Sequence, residues 1–132
     1  MPAKSDDHGK PTMKSLLIVT TVIEAGAGLA FVISPSVSVS ILVGSPLDTP
    51  AASTVGRVAG AALLSLAIAC WAAHGDGRSR AARGLVAALL WYNAAVAGIL
   101  AYARIGSGLI GPAIWPAVAL HADVVPVVLN LG

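Results

Sequence analysis

Four long apolar segments, separated by short polar gaps, fill most of this 132-residue chain. They cover residues 16–33, 55–73, 85–103 and 109–131. A helix needs about 20 mostly apolar residues to cross the hydrocarbon core of a bilayer, and each segment has about that length. We therefore predict an all-α fold, a four-transmembrane-helix bundle. It forms a single integral-membrane domain over residues 1–132, in which residues 1–14 are a polar N-terminal tail.

The composition leaves no room for a soluble catalytic domain. Charged residues make up only 11% of the chain, against about 25% in an ordinary soluble domain. The sequence holds no carboxylate–histidine metal motif, phosphate-binding glycine loop or nucleophile elbow. The single cysteine, Cys70, excludes an internal disulfide. His74 and His121 lie at different depths and cannot form a haem pair, so we expect no enzyme activity, no metal and no cofactor.

The basic residues are distributed unevenly around the four segments. They cluster before the first segment and between the second and third: Lys4, Lys10, Lys14, Arg78, Arg80 and Arg83. Cytoplasmic loops carry such an excess, which places both termini in the cytoplasm and predicts an up-down-up-down order. The lipid bilayer, and not a nucleic acid, is then the expected partner. A contact between the loop arginines and anionic lipid is an open alternative.

The N-terminal region also imitates a secretory signal. Lysines precede an apolar run over 16–23, and Ala25-Gly26-Ala27 resembles a cleavage site. Against cleavage, the apolar run resumes at once as far as Ile33, and Glu24 sits poorly in a signal segment. We expect the first segment to remain as a membrane span.

Small residues recur at the spacing that lets membrane helices approach closely. Gly56 and Gly60 form a GxxxG pattern, Ala94 and Gly98 have the same spacing, and Gly26 repeats it with Ala30. We expect these faces to pack inside the bundle, with a dimer contact as the alternative. The deep tryptophans, Trp91 and Trp115, are also predicted to be packing residues.

Each segment carries a polar residue near the middle of the membrane. At about 1.5 Å per residue, Glu24 lies about 15 Å beyond Lys14. Counting from the other segment ends gives similar depths for further polar residues: Ser65, Asn93, His121 and Asp123. Arg57 enters the second segment about one turn below the outer surface, and its long side chain can reach toward Glu24.

An ionised side chain at this depth costs at least about 2.5–3.5 kcal/mol. We expect Glu24 to face the bundle interior, where it either pairs with Arg57 or stays protonated. Asn93 and His121 would complete its hydrogen bonds. One interpretation is a polar clasp that fixes the helix register. The other is a proton or ion relay through Glu24 and His121.

Prolines interrupt the fourth segment at Pro112, Pro116 and Pro126. We interpret them as helix kinks, and the alternative is an ion or substrate site at a broken helix. The outer link over 34–52 is the longest, and its valines, isoleucine and leucine predict a short interfacial segment.

Several motifs together resemble a known family. They are Glu24-Ala25-Gly26-Ala27-Gly28, Ile33-Ser34-Pro35, the stretch 56–64 and a late Trp115-Pro116 followed by His121. This arrangement is similar to small bacterial four-helix membrane proteins of the broad DoxX-like kind. The resemblance implies a multi-pass protein of the bacterial inner membrane, and some family members belong to quinone-linked redox or oxidative-stress systems. It provides no catalytic motif to transfer to these residues.

Three functions follow as expectations. The first is a non-enzymatic accessory or scaffold subunit whose intramembrane faces pack against a second copy or a larger membrane complex. The second is a small oligomeric transporter or proton-conducting protein. The third is a redox accessory subunit that touches a quinone near Trp91, Tyr92 and His121.

Overall fold

The computed structural model describes residues 12–76 and 79–131, and that part of the chain forms five α-helices and no strand. The all-α prediction is confirmed. The predicted tail as far as residue 11, with Lys4 and Lys10, and the loop residue Arg78 lie outside the described residues. The helices are α1 (Met13–Ile33), α2 (Pro35–Val43), α3 (Pro50–Ala73), α4 (Arg80–Ile105) and α5 (Ile114–Leu131).

The three longest helices begin where a hydroxyl side chain caps the first turn. The Thr12 hydroxyl accepts from the Ser15 backbone N–H ahead of α1. Thr49 and Ser79 do the same for α3 and α4. Such caps satisfy backbone donors that the first turn leaves unpaired. The helices therefore start several residues before the predicted apolar segments. All three are long and apolar enough to cross a membrane.

The fourth apolar segment differs from its prediction. We expected a helix from residue 109, but α5 begins at Ile114 and has 18 residues. Gly108 adopts a positive φ of 69°, and the chain forms a turn at Pro112 before the helix starts. Pro112 is therefore not a kink within a helix. Pro116 lies in the first turn, which tolerates proline, and Pro126 alone interrupts the helix interior.

The outer link contains the helix α2, nine residues long, where the sequence predicted a short segment. It ends at Gly44, whose φ of 82° is the left-handed conformation that favours glycine. The end of α2 packs on the turn that precedes α5. There the Ala113 backbone N–H donates to the Ile41 carbonyl over 3.0 Å. This contact ties the α1–α3 link to the start of α5.

Helices α1 and α3 form one antiparallel pair. The Thr21 hydroxyl lies 3.4 Å from the Ala67 carbonyl oxygen, and further along Gly28 of α1 faces Gly60 of α3. The residue numbers rise along one helix as they fall along the other. Glycines at this contact allow the two backbones to approach closely.

Helices α4 and α5 form a second close pair, and the two pairs meet along a buried apolar cluster. The buried members of the cluster are Leu16, Leu17, Cys70, Val86, Leu89 and Val128. Every helix except α2 contributes to it. On α4 the buried positions 82, 86, 89, 93 and 100 follow one stripe, and Asn93 places a polar group within this stripe. The polar site therefore lies at the junction of the two pairs.

Candidate functional site

Glu24 lies inside the bundle, with only 4% of its surface exposed. The α1 stripe of buried residues, which also includes Leu17, Thr20 and Gly28, turns it inward. The Tyr92 hydroxyl of α4 donates to the Glu24 carboxyl oxygen Oε2 over 3.4 Å. This long hydrogen bond links the first helix pair to the second.

Asn93 bridges α4 and α5 from an equally buried position. Its amide nitrogen Nδ2 donates to the Leu89 carbonyl over 2.8 Å, and its oxygen Oδ1 lies 2.8 Å from Nδ1 of His121. Since an amide oxygen can only accept, His121 donates from Nδ1 in this arrangement. A neutral His121 then keeps Nε2 as an acceptor. The Tyr92 ring packs edge-on against the His121 ring, with 5.7 Å between centroids.

A small cavity of about 20 Å³ opens between these polar groups. Its polar lining residues are Thr20, Glu24, Asn93 and His121, and Ile23, Leu120 and Val124 line the rest. This volume is enough for about one water molecule. The site can therefore bridge a carboxyl and an imidazole through a single water, but it offers no space for a larger ligand.

Three residues predicted for the polar layer do not join it. Arg57 is exposed, and its Nε donates to the Val32 carbonyl over 3.3 Å. Val32 is eight residues from Glu24, about 12 Å along α1. Ser65 is exposed and donates to the Ala61 carbonyl of its own helix. Asp123 is exposed on α5. Counting residues gave their depths, but these side chains face outward.

The predicted packing residues fall into two groups. A Cβ placed on Gly56 would lie 2.8 Å from Pro35, and one on Gly60 would lie 2.8 Å from the Gly28 carbonyl. These two glycines lie in close contact with other parts of the same chain. Around Gly26 and Gly98 a Cβ would meet nothing within 4 Å, and Ala94 is exposed. These three do not pack against the part of the chain that the structure describes.

Trp91 was predicted to be a packing residue, but it lies outside the core. It has 78% of its surface exposed and lies on the outer face of α4. Ala94 and Gly98 follow three and seven residues later, on the same side of the helix. We call Trp91, Ala94 and Gly98 the outer α4 face.

Sequence reasoning did not place Thr20 or Gly28 beside Glu24, and it named Tyr92 as a quinone contact but not as a partner of Glu24. The first two stand four residues before and after Glu24, so the spacing alone places them on its helix face. No spacing rule identifies Tyr92 as a partner of Glu24, because the adjacent residue Asn93 is the one that lies on the buried stripe of α4.

Among residues 12–76 and 79–131, no three His, Cys, Asp or Glu side chains come together in a way that could hold a metal ion. The polar site is therefore built from hydrogen-bonding groups. Comparison of the chain with protein-family models, with curated proteins and with solved structures gives no match.

Proposed function

We propose that this chain is a non-enzymatic accessory or scaffold subunit of the bacterial inner membrane, which packs through its outer α4 face against a second copy or a larger complex. Four spans cross the membrane, α5 being the fourth. With 18 residues, α5 is about 27 Å long, close to the thickness of the hydrocarbon core, about 30 Å. The polar site acts as a clasp that fixes how the two helix pairs meet.

The contrast between two small-residue faces carries this proposal. The face of α3 with Gly56 and Gly60 is occupied by α1 and α2 of the same chain. The outer α4 face has the same spacing and no neighbour around Gly98 within 4 Å. In lipid, small residues at this spacing favour close contact with another helix. An exposed tryptophan one turn away adds a large surface for such a contact.

Native mass spectrometry after extraction in mild detergent tests the assembly. We expect the wild-type protein to appear as a homo-oligomer or with a partner subunit. Gly98→Leu should release the monomer, because a leucine blocks the close approach of the outer α4 face. Ala62→Leu is the control, since Ala62 is exposed on α3, away from the outer α4 face and from the Gly26–Ala30 pair. A wild-type monomer without partner, or a Gly98→Leu complex as stable as the control, contradicts the proposal.

The proposed orientation places both termini in the cytoplasm. It rests on the positive charge around the start of α1 and α4. Asp76→Cys and Ser107→Cys, each in a Cys70→Ala background, test it with a maleimide that does not cross membranes. We expect intact spheroplasts to label Ser107→Cys alone. Labelling of Asp76→Cys alone would show that the chain has the opposite orientation.

A second candidate function is proton conduction by an oligomer. The cavity that joins Glu24 to His121 favours it, because one water there can relay a proton between the two side chains. Arg57 donates to Val32 and not to Glu24. We therefore propose that Glu24 is protonated, which avoids the free-energy cost of an ionised carboxylate at this depth. The cavity beside Glu24 has space for about one water, and we propose that the rest of the path runs between copies.

Proton flux into proteoliposomes separates this candidate from the clasp. If the protein conducts, Glu24→Gln should abolish the flux and leave the fold intact, since an amide keeps the contact with Tyr92. Asp123→Asn is the matched control, because Asp123 lies at a similar depth but is exposed. Absence of flux in the wild type, or equal flux in both variants, removes this candidate and leaves the clasp.

A further inference from the structure

An open groove runs between α4 and α5 near the start of α4. Its volume is about 300 Å³, the lower end of the range of about 300–1,000 Å³ that ligand sites occupy. Val86, Ala87 and Leu90 form the α4 wall, and Val128 and Leu129 form the α5 wall. We call it the Arg83 groove, because Arg83 is the one charged residue among the described residues that line it.

The Arg83 groove has the polarity of an amphiphile. Arg83 stands in the first turn of α4, and Leu90 is seven residues deeper, about 10 Å along the helix. One leaflet of the hydrocarbon core is about 15 Å thick. The walls therefore extend over much of a leaflet, with the charge at the end nearer the membrane surface and apolar side chains below it.

The charge at this end selects an anion. A guanidinium offers paired N–H donors that match a phosphate. Arg80 lies three residues before Arg83 on neighbouring helix surface, and the exposed Lys14 adjoins Met13, which also lines the groove. Basic pockets between membrane helices on the cytoplasmic side are known to bind anionic lipid head groups.

We propose that the Arg83 groove binds one anionic phospholipid, with its phosphate on Arg83 and an acyl chain between α4 and α5. This inference depends on the proposed membrane location and on neither the assembly nor proton conduction. It goes beyond a general attraction of the loop to the membrane surface, because it specifies a bound molecule that survives extraction.

The test uses full-length protein in nanodiscs that contain equal amounts of phosphatidylglycerol and phosphatidylethanolamine. Native mass spectrometry then counts the lipids that remain bound after release. We expect one phosphatidylglycerol on the wild type. Arg83→Gln should weaken its retention about fivefold, since one basic residue near an anionic surface contributes about 1 kcal/mol. Arg104→Gln removes the same charge from the last turn of α4 and should change nothing.

A second variant tests the apolar part of the site. Ala87→Phe should fill the groove and remove the bound lipid, whereas Ala88→Phe, exposed on α4 but outside the groove, should keep it. Equal retention of the two lipids, or equal loss in Arg83→Gln and Arg104→Gln, overturns the proposal. An Ala87→Phe variant that keeps its lipid also overturns the proposal, even if that variant loses a second copy of the chain. A wild type that keeps its oligomer without lipid refutes this inference alone, and a chain that purifies without detergent refutes the membrane function as well.

Discussion

Gly28 of α1 and Gly60 of α3 face each other so closely that neither position has space for a side chain. A Cβ on Gly28 would lie 2.9 Å from the Gly60 carbonyl oxygen, and one on Gly60 would lie 2.8 Å from the Gly28 carbonyl oxygen. The obstructing atoms are mostly backbone, so they cannot rotate away. The first helix pair depends on this contact.

Gly60→Ala should therefore destabilise the protein by about 1–3 kcal/mol, the usual cost of overpacking a close contact. Gly26→Ala should be neutral or slightly stabilising, because its Cβ meets open space and alanine favours helix. Unfolding in mixed SDS micelles, followed by tryptophan fluorescence, measures both. Equal midpoints for the two variants would show that the pair tolerates separation.

The Asn93 amide should contribute measurably to stability. Asn93→Ala removes the hydrogen bond to His121 and leaves the imidazole donor unpaired within the bundle. We expect a loss of about 1 kcal/mol, within the range found for side-chain hydrogen bonds in membrane proteins. Ser65→Ala is the control, since that exposed hydroxyl bonds only its own helix. The same SDS titration applies, and an Asn93→Ala variant as stable as Ser65→Ala would mean that the clasp is not a stabilising element.

Arg57 and Glu24 should behave as independent residues. Arg57 bonds the Val32 carbonyl, about two turns of α1 away from Glu24. A double-mutant cycle with Arg57→Gln and Glu24→Gln should give a coupling below about 0.5 kcal/mol, as expected for residues without a shared partner. A coupling of several times that size would support the ion pair, which was one of the two alternatives that the sequence left open for Glu24.

The contact between α2 and the turn before α5 should be sensitive to one methyl group. A Cβ on Gly111 would overlap the Leu42 carbonyl group. Gly111→Ala should therefore separate α2 from that turn and lower the thermal midpoint in detergent. Gly75→Ala, in a loop with open space around it, should leave the midpoint unchanged. Accelerated proteolysis within 44–50 in Gly111→Ala alone would be a second sign of the separation.

The long helices and the common level of Glu24, Asn93 and His121 could be predicted, but the rotation of each helix could not. Apolar length located α1, α3 and α4, because that quantity needs no knowledge of neighbours. Counting residues placed Glu24, Asn93 and His121 at one level. It also placed Ser65 and Asp123 there, although they face outward. Helices rich in alanine and glycine are apolar on every side, so their pattern does not show which side is buried.

The start of α5 was missed for a different reason. Apolar composition continues without a break across 109–113, and hydropathy cannot distinguish an extended turn from a helix there. Gly108, Gly111 and Pro112 contained the information, since together they favour a turn and disfavour the helix interior. Backbone chemistry would have corrected the boundary that hydrophobicity alone placed five residues early.

The junction of the two helix pairs has a consequence for biosynthesis. Glu24 lies in α1, which is translated before α4, and Tyr92 and Asn93 are made nearly seventy residues later than Glu24. In the membrane topology that we propose, the carboxyl group spends that interval without these later neighbours. Because the carboxyl group lacks these partners until α4 and α5 are inserted, rapid synthesis of the second half is favourable. Slow translation of that half should expose the nascent chain to membrane quality-control proteases.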